Sequence, residues 1–381
     1  MTRTLILGGG FGGLTVACEL SKRLGDSHEA VVIDREPQFL MGLRKPWAVV
    51  GHVRMEDGRR RRALIEKAGV RFVNERIVKL DPAARRVQTE AGWHEGDYMV
   101  VALGAEPRPD LVPGLAEHGH DLYSSNAIPA LAKAVERFDG GALHIAIAGG
   151  PYKCPPAPFE TAMLLDEHLR ERGVHDRTQF TVTTFQPLLL PNAGREGSAW
   201  IGEQLSSRGI AWEVGRKVQR VEAGRLVFEN GEAAFDLLIG VPPHRPPDVI
   251  QGSGLAGESP WVAVDPGTLR TKFERVWAIG DVTQITLANH LPLPKAGLFA
   301  ELEGLQVAAA IVADVRHGPP PAPFDGHGYC FIETAKESAA RVDGEFFATP
   351  EPKVSLGEIS TEHSAEKRLF EAERLERWFG S

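Results

Sequence analysis

Two groups of residues in this chain are spaced to do chemistry: a glycine cluster near its start and a cysteine set among prolines in its middle. The cluster is Gly8-Gly9-Gly10-Phe11-Gly12-Gly13, with the pattern G-x-G-x-x-G at Gly8, Gly10 and Gly13. In such a loop the first glycine makes the turn, the second lets the backbone approach a pyrophosphate, and the third lets helix and strand pack closely. A helix opening there offers free N–H groups to phosphate, and Asp34, closing the next apolar run, can accept hydrogen bonds from ribose hydroxyls. The second group is Pro151-Tyr152-Lys153-Cys154-Pro155-Pro156-Ala157-Pro158-Phe159-Glu160. It follows Leu143-His144-Ile145-Ala146-Ile147-Ala148-Gly149-Gly150, a strand and glycine turn of the kind that starts a nucleotide site. Proline has no N–H to give a phosphate and cannot take up glycine's backbone conformations, so the turn presents a thiol instead of a phosphate cradle. Of the other cysteines, Cys18 lies on a small-residue stretch of the first helix and reads as packing. Cys330, in Gly326-His327-Gly328-Tyr329-Cys330-Phe331-Ile332, reads equally as a core residue or a second reactive thiol. No cysteine or histidine spacing suits a metal, and none is expected.

These residues need a scaffold. Thr4–Leu7 reads as a strand buried on both faces, Leu14–Leu24 as a helix and Ala30–Ile33 as a second strand. Tyr98–Val101 and Val276–Ile279 read as further strands, and the stretch from about Leu298 to Val315 as a long apolar helix. Arg59–Arg62 reads as the start of an exposed helix leading to Val70–Val73. Near the C-terminus, Leu369, Ala372, Leu375 and Phe379 recur at helical spacing within an amphipathic segment from Glu366 to Phe379. Its Lys367, Arg368, Arg374 and Arg377 are balanced by Glu366, Glu371, Glu373 and Glu376. Without a cationic face it is expected to pack on the N-terminal domain or a second subunit rather than on anionic lipid. The 381 residues are enough for two or three domains, and a net charge of −8 argues against a general nucleic-acid binder. No run of about 18 apolar residues exists to span a membrane. Met1-Thr2-Arg3-Thr4 leads straight into a core strand rather than a signal peptide, which points to the cytoplasm.

Tyr98-Met99-Val100-Val101-Ala102-Leu103-Gly104-Ala105 resembles the strand and turn that flavin-dependent disulfide reductases place after their first nucleotide unit. Val276-Trp277-Ala278-Ile279-Gly280-Asp281 resembles their second flavin signature, whose aspartate binds the ribityl chain. The resemblance implies FAD and a flavin domain interrupted by an insertion. The cofactor-binding candidates are Gly8, Gly10, Phe11, Gly12, Gly13, Asp34, Arg35, Lys45, Val78, Ala102, Leu103, Gly104, Gly280, Asp281, Lys295, Ala296 and Gly297. Lys295, beside a helix N-terminus, suits the negative charge of reduced flavin. The expected fold is α/β, with two Rossmann-like domains of the glutathione-reductase type and a C-terminal α+β segment. The FAD-binding domain takes residues 1–110 and 248–321, the second Rossmann-like domain, with its degenerate nucleotide loop, 111–247, and the C-terminal segment 322–381.

Taken in order, the glycine-rich site, the Cys-Pro-Pro turn, Gly280-Asp281, Pro294-Lys295-Ala296-Gly297 and the late Cys330 resemble the sulfide:quinone oxidoreductase family, most of all the flavoprotein subunits of flavocytochrome c sulfide dehydrogenases. In that family two cysteines face the flavin and hold sulfur taken from sulfide; Cys154 and Cys330 match them, and Glu160 matches a family glutamate. Where the flavin is covalent, a cysteine in the loop after the second strand holds it; Phe39–Lys45 has none, so FAD is expected to be non-covalent. A third cysteine found in many quinone-linked members is replaced by Tyr123-Ser124-Ser125-Asn126.

The resemblance implies that hydrosulfide attacks a disulfide or sulfur-bridged Cys154–Cys330 pair. A persulfide is left on Cys154 and a thiolate on Cys330, whose electrons pass to the flavin. Glu160 then takes a proton, given an apolar pocket that raises its pKa, or else simply complements a helix dipole. The implied partners are sulfide or a related small sulfur donor and a quinone or c-type cytochrome, with a membrane surface or a second copy of the chain left open. An NAD(P)H-dependent flavin reductase is disfavoured by the proline-filled turn, and a non-catalytic flavin or persulfide sensor is the reading from another class.

Overall fold

The computed structural model describes residues 1–380. The chain starts with β1 (Thr2–Leu7), α1 (Phe11–Leu24), β2 (His28–Ile33), β3 (Arg71–Val73) and β4 (Tyr98–Val101). Helix α1 begins inside the glycine cluster, so Phe11, Gly12 and Gly13 form its first turn rather than a loop before it. The aliphatic residues of β1, β2 and β4 are buried on both faces, as a parallel sheet covered on two sides requires.

The chain then leaves this sheet and builds another. β5 (His120–Asp121), β6 (Gly141–Ile147), α2 (Ala157–Glu171), β7 (Thr178–Thr184), β8 (Ala211–Glu213) and β9 (Leu237–Val241) form a parallel sheet of order β5-β9-β6-β7-β8. It returns with β10 (Val276–Ala278), which pairs parallel to β4 and completes the first sheet in the order β10-β4-β1-β2-β3. Helix α3 (Gly297–Val315) lies against α1, and two glycines let them touch: a Cβ on Gly304 would stand 2.8 Å from the carbonyl oxygen of Gly12.

An antiparallel sheet of β11 (His327–Ala335), β12 (Ser338–Glu345) and β13 (Lys353–Ser360) follows, and then α4 (Thr361–Phe379). The Ser360 hydroxyl caps α4 by accepting from the His363 N–H. Helix α4 packs on the first sheet's core: Trp378 meets Phe11 edge-on at 5.1 Å and Phe39 at 5.5 Å, and Leu375 and Phe379 are buried beside them. No helix among the described residues is long and apolar enough to cross a membrane.

The arginine run does not start an exposed helix. Arg59–Arg61 is a short strand antiparallel to Gln38–Leu40, and Arg62 opens a 3-10 stretch to Ala68. Arg62 is buried because its guanidinium satisfies carbonyl groups, at 2.9 Å from Gly9 O and 2.7 Å from Glu36 O, and lies 3.6 Å from the Asp34 carboxylate. Four adjacent positive charges mislead here because one of them finds acceptors that only the fold brings near it.

Candidate active site

Two cavities meet where the glycine turn faces the ends of β1 and β4. One, of about 870 Å³, is lined by Gly8, Gly10, Asp34, Arg35, Val78, Ala102, Leu103 and Gly104. The other, of about 470 Å³, is lined by Gly10, Phe11, Gly12, Lys45, Gly280, Lys295, Ala296 and Gly297. Gly10, Arg62, Ala102, Gly104, Lys153 and Asp281 border both, so the two form one crevice. All the cofactor candidates read from the sequence lie along it except Gly13, whose task is packing: a Cβ there would stand 1.9 Å from Gly8 O.

The residues fit a dinucleotide. A Cβ on Gly10 would meet nothing within 4 Å, so its surface is open, and α1 has neither a side-chain cap nor an acidic residue in its first turn. Its N–H groups are therefore free for phosphate. Asp34 is braced from behind, accepting from the Gly9 N–H at 2.7 Å and the Glu36 N–H at 2.8 Å. Lys295 lines the second cavity and is also tied to the protein's own backbone. Its ammonium donates to Asp281 O and Thr283 O, both at 2.8 Å, and lies 3.7 Å from the centre of the Trp261 ring. Burial brings its pKa down to about 8. It is a strut tying the turn after β10 to the segment before α3.

The second cavity also holds the thiols. Cys154 and Cys330 both line it, and both are free. Cys154 is held at φ +48°, a left-handed conformation unusual for a residue with a Cβ. Its N–H donates to Lys295 O at 2.6 Å and its carbonyl accepts from the Tyr123 hydroxyl at 3.2 Å, so both neighbours of the proline turn fix it. Cys154 is exposed on the cavity wall and Cys330 half-buried; lost hydration inside the cavity pushes the Cys154 thiol up to about 12 and raises Cys330 further, each aided by the charge of Glu160. Cys18 lies instead in the first sheet's core. Lys45 donates to Tyr123 O, and burial followed by repulsion from Lys153 lowers its pKa to about 7.

Glu160 sits in the first turn of α2, yet it is no exposed dipole partner: it is 2% exposed. One of its oxygens accepts from the Glu333 N–H at 2.9 Å and from the Lys367 ammonium at 2.6 Å. Lys367 also reaches the Glu333 carboxylate at 2.8 Å. Burial raises the Glu160 pKa against the pull of Lys367, and Glu333 adds to the rise. Sequence reasoning missed Glu333, Lys367, Arg62 and Glu303. Glu303, buried on α3, accepts from the Gly280 N–H at 2.5 Å, and burial raises its pKa to about 8. Each looks like an ordinary surface charge in sequence.

Residues 2–304 match the family described as pyridine nucleotide-disulphide oxidoreductase. The chain is similar to the sulfide-quinone reductase of Aquifex aeolicus, at 26% identity over 371 residues that cover 91% of this chain and 83% of the relative. It is similar also to the mitochondrial sulfide:quinone oxidoreductase of Mus musculus, at 24% identity with 91% and 78% covered. In fold it superposes on the X-ray structure of the Aquifex aeolicus sulfide:quinone oxidoreductase with a TM-score of 0.90, at 23% identity, covering all of this chain and 92% of the other.

Proposed function

Because the chain belongs to the pyridine nucleotide-disulphide oxidoreductase family, in its sulfide:quinone oxidoreductase branch, we propose that this FAD-dependent oxidoreductase takes two electrons from sulfide through Cys154 and Cys330 and passes them to a quinone. The observation that carries this reading is the placement of two free cysteines, from chain segments far apart in sequence, in one cavity continuous with the dinucleotide crevice. The bound flavin supplies the two-electron acceptor between donor and quinone. Gly8, Gly10, Asp34 and the α1 N-terminus would hold its adenosine diphosphate half, and Gly280, Asp281 and Ala296–Gly297 its other half. No cysteine lines the crevice in Phe39–Lys45, which supports a non-covalent FAD that acid denaturation releases.

The protein's own part is to bring hydrosulfide to a sulfur of the oxidised pair. The S–S bond breaks, a new S–S bond forms to the incoming sulfur, and the displaced thiolate carries the electron pair. Glu160 is the group placed to accept the proton of the persulfide S–H. Phe346, Phe370 and Tyr329 line the same cavity beyond the thiols and offer aromatic walls to a quinone ring.

The test follows flavin absorbance without oxygen. Sulfide bleaches the wild-type flavin and NADH does not. Cys154→Ser and Cys330→Ser each slow the sulfide reaction at least about a hundredfold while keeping their flavin. Bleaching by NADH alone, or full-speed bleaching by sulfide in either variant, would overturn the reading.

A further inference from the structure

Behind the thiols lies a buried cluster with one negative charge too many. Glu160 from α2, Glu333 from β11 and Lys367 from α4 are 2%, 0% and 6% exposed, and one ammonium serves both carboxyl groups. Trp47 donates its indole N–H to the same Glu333 oxygen that Lys367 reaches, while the other Glu333 oxygen is buried with no partner. An unpartnered oxygen of an ionised carboxylate costs more in a buried site than that of a neutral carboxylic acid.

We propose that Glu160, Lys367 and Glu333 share one exchangeable proton, and that Glu333 is the positioning residue that makes Glu160 a base. Glu160 paired with Lys367 alone would be a closed ion pair with a carboxylate too weakly basic to take a proton from sulfur. Glu333 competes for the same ammonium and sets a second negative charge beside Glu160. The deprotonated cluster then carries a net charge of minus one, and accepting a proton makes it neutral, the state a buried site favours. In the sulfide reaction the persulfide S–H bond breaks and a carboxyl O–H bond forms, the electron pair staying on sulfur. The proton leaves to solvent after turnover, and no other reactant is needed.

The groups facing Glu160 are Lys367, Glu333, Cys154, Cys330 and Tyr123. On the far side of Glu333 is His52, itself lowered by burial. Both thiols and the Tyr123 phenol have raised pKa values, and the other carboxyl that burial raises, Glu303, lies apart on α3, so a carboxyl titration that Glu160→Gln alters reports the cluster.

This inference deepens the sulfide reading, but its first test needs no sulfide. Infrared spectra of the resting holoenzyme across the neutral pH range should show a carbonyl stretch of a protonated carboxylic acid that fades as pH rises. In Glu333→Gln that titration should move down by about one pH unit or more, and in Glu160→Gln the band should change position or disappear. The acid limb of sulfide-dependent flavin reduction should move down with it in Glu333→Gln, with a lower plateau rate from the weaker base. A wild-type enzyme with no titrating carboxylic-acid band, or a Glu333→Gln titration identical to wild type, overturns the proposal. Glu303, whose pKa burial raises to about 8, gives a carboxylic-acid band of its own that Glu303→Gln removes, so should Glu333→Gln not fold, a titrating band that survives Glu303→Gln and changes in Glu160→Gln decides. Infrared changes as expected in an enzyme that sulfide does not bleach would sustain the shared proton and refute the sulfide reading instead.

Discussion

Replacing Glu303 by glutamine should make the protein more stable as pH rises, by an amount the structure bounds. Glu303 is 1% exposed, its one hydrogen-bond donor is the Gly280 N–H, and burial lifts its pKa from 4.5 to about 8 with the nearby charge of Asp281 helping. A carboxyl whose folded pKa exceeds its unfolded one is ionised first in the unfolded chain. Below about pH 4.5 both states hold the proton and the group is neutral in the balance. From there to about pH 8 the unfolded state has released it and the native state has not, so native stability falls by about 1.4 kcal/mol for each pH unit. The ceiling over roughly 3.5 units is about 5 kcal/mol. The glutamine oxygen can still accept from Gly280, and its NH₂ stands where the acid O–H stood. Guanidinium unfolding at about pH 5 and about pH 8 should therefore give wild type and Glu303→Gln similar midpoints at the lower pH. At the higher pH the variant should lead by several kcal/mol. Unfolding curves whose separation does not change between the two pH values would show that Glu303 is ionised in the native state, and the reasoning would fail.

Two further predictions separate the dinucleotide cradle from the packing around it. Gly10→Ala places a methyl in open space at a φ of −90°, which any residue adopts, so it should fold normally yet lose flavin affinity about tenfold or more; an unchanged flavin-to-protein ratio would mean no phosphate approaches there. Gly13→Ala, whose methyl would stand 1.9 Å from Gly8 O, should instead fail to give soluble folded protein, and a stable, flavin-loaded Gly13→Ala would refute the packing role. Trp378→Ala, emptying a site between Phe11 and Phe39, should cost about 3–5 kcal/mol in denaturant unfolding; a loss under about 1 kcal/mol would mean α4 is only loosely docked.

What the sequence disclosed was local or repeated. Gly8–Gly13 followed by a helix and Asp34, the thiol among prolines, and the strand ending in Gly280-Asp281 all carry their meaning within a few residues, and Gly8, Gly10, Asp34, Cys154, Gly280 and Asp281 line one crevice. Helix α4 was legible too, through the spacing of Leu375 and Phe379, which are buried, although Leu369 and Ala372 of the same series face solvent. Pairings across distant segments were not legible. Arg62 is a fourth arginine in a row until the fold sets Gly9 O and Glu36 O around it. Lys367 counted as a surface charge because nothing near it in sequence says that α2 and β11 each bring a buried carboxylate within 3 Å. Lys295 was legible as a lysine beside a helix N-terminus, but the carbonyls of the turn after β10 that it also holds were not.

The thiol pKa values bear on which partner begins the reaction. A reduced Cys154 pushed up to about 12, with Cys330 higher, holds almost no thiolate at neutral pH and is a poor attacking group. Hydrosulfide, already an anion, meets no such burial cost until it enters the cavity. That favours a cycle in which the cysteine pair begins oxidised and the substrate is the nucleophile. The same burial then makes the displaced thiolate costly and strongly nucleophilic, because nucleophilicity rises with pKa. It is therefore quick to give up its electron pair to an acceptor beside it. Lys367 eases that charge for both thiols, but burial outweighs it at each. A site meant to keep a stable thiolate would have the opposite balance, with a cation closer. Here the apolar surroundings raise the energy of the intermediate, and the crevice next to the thiols is where that energy can be released.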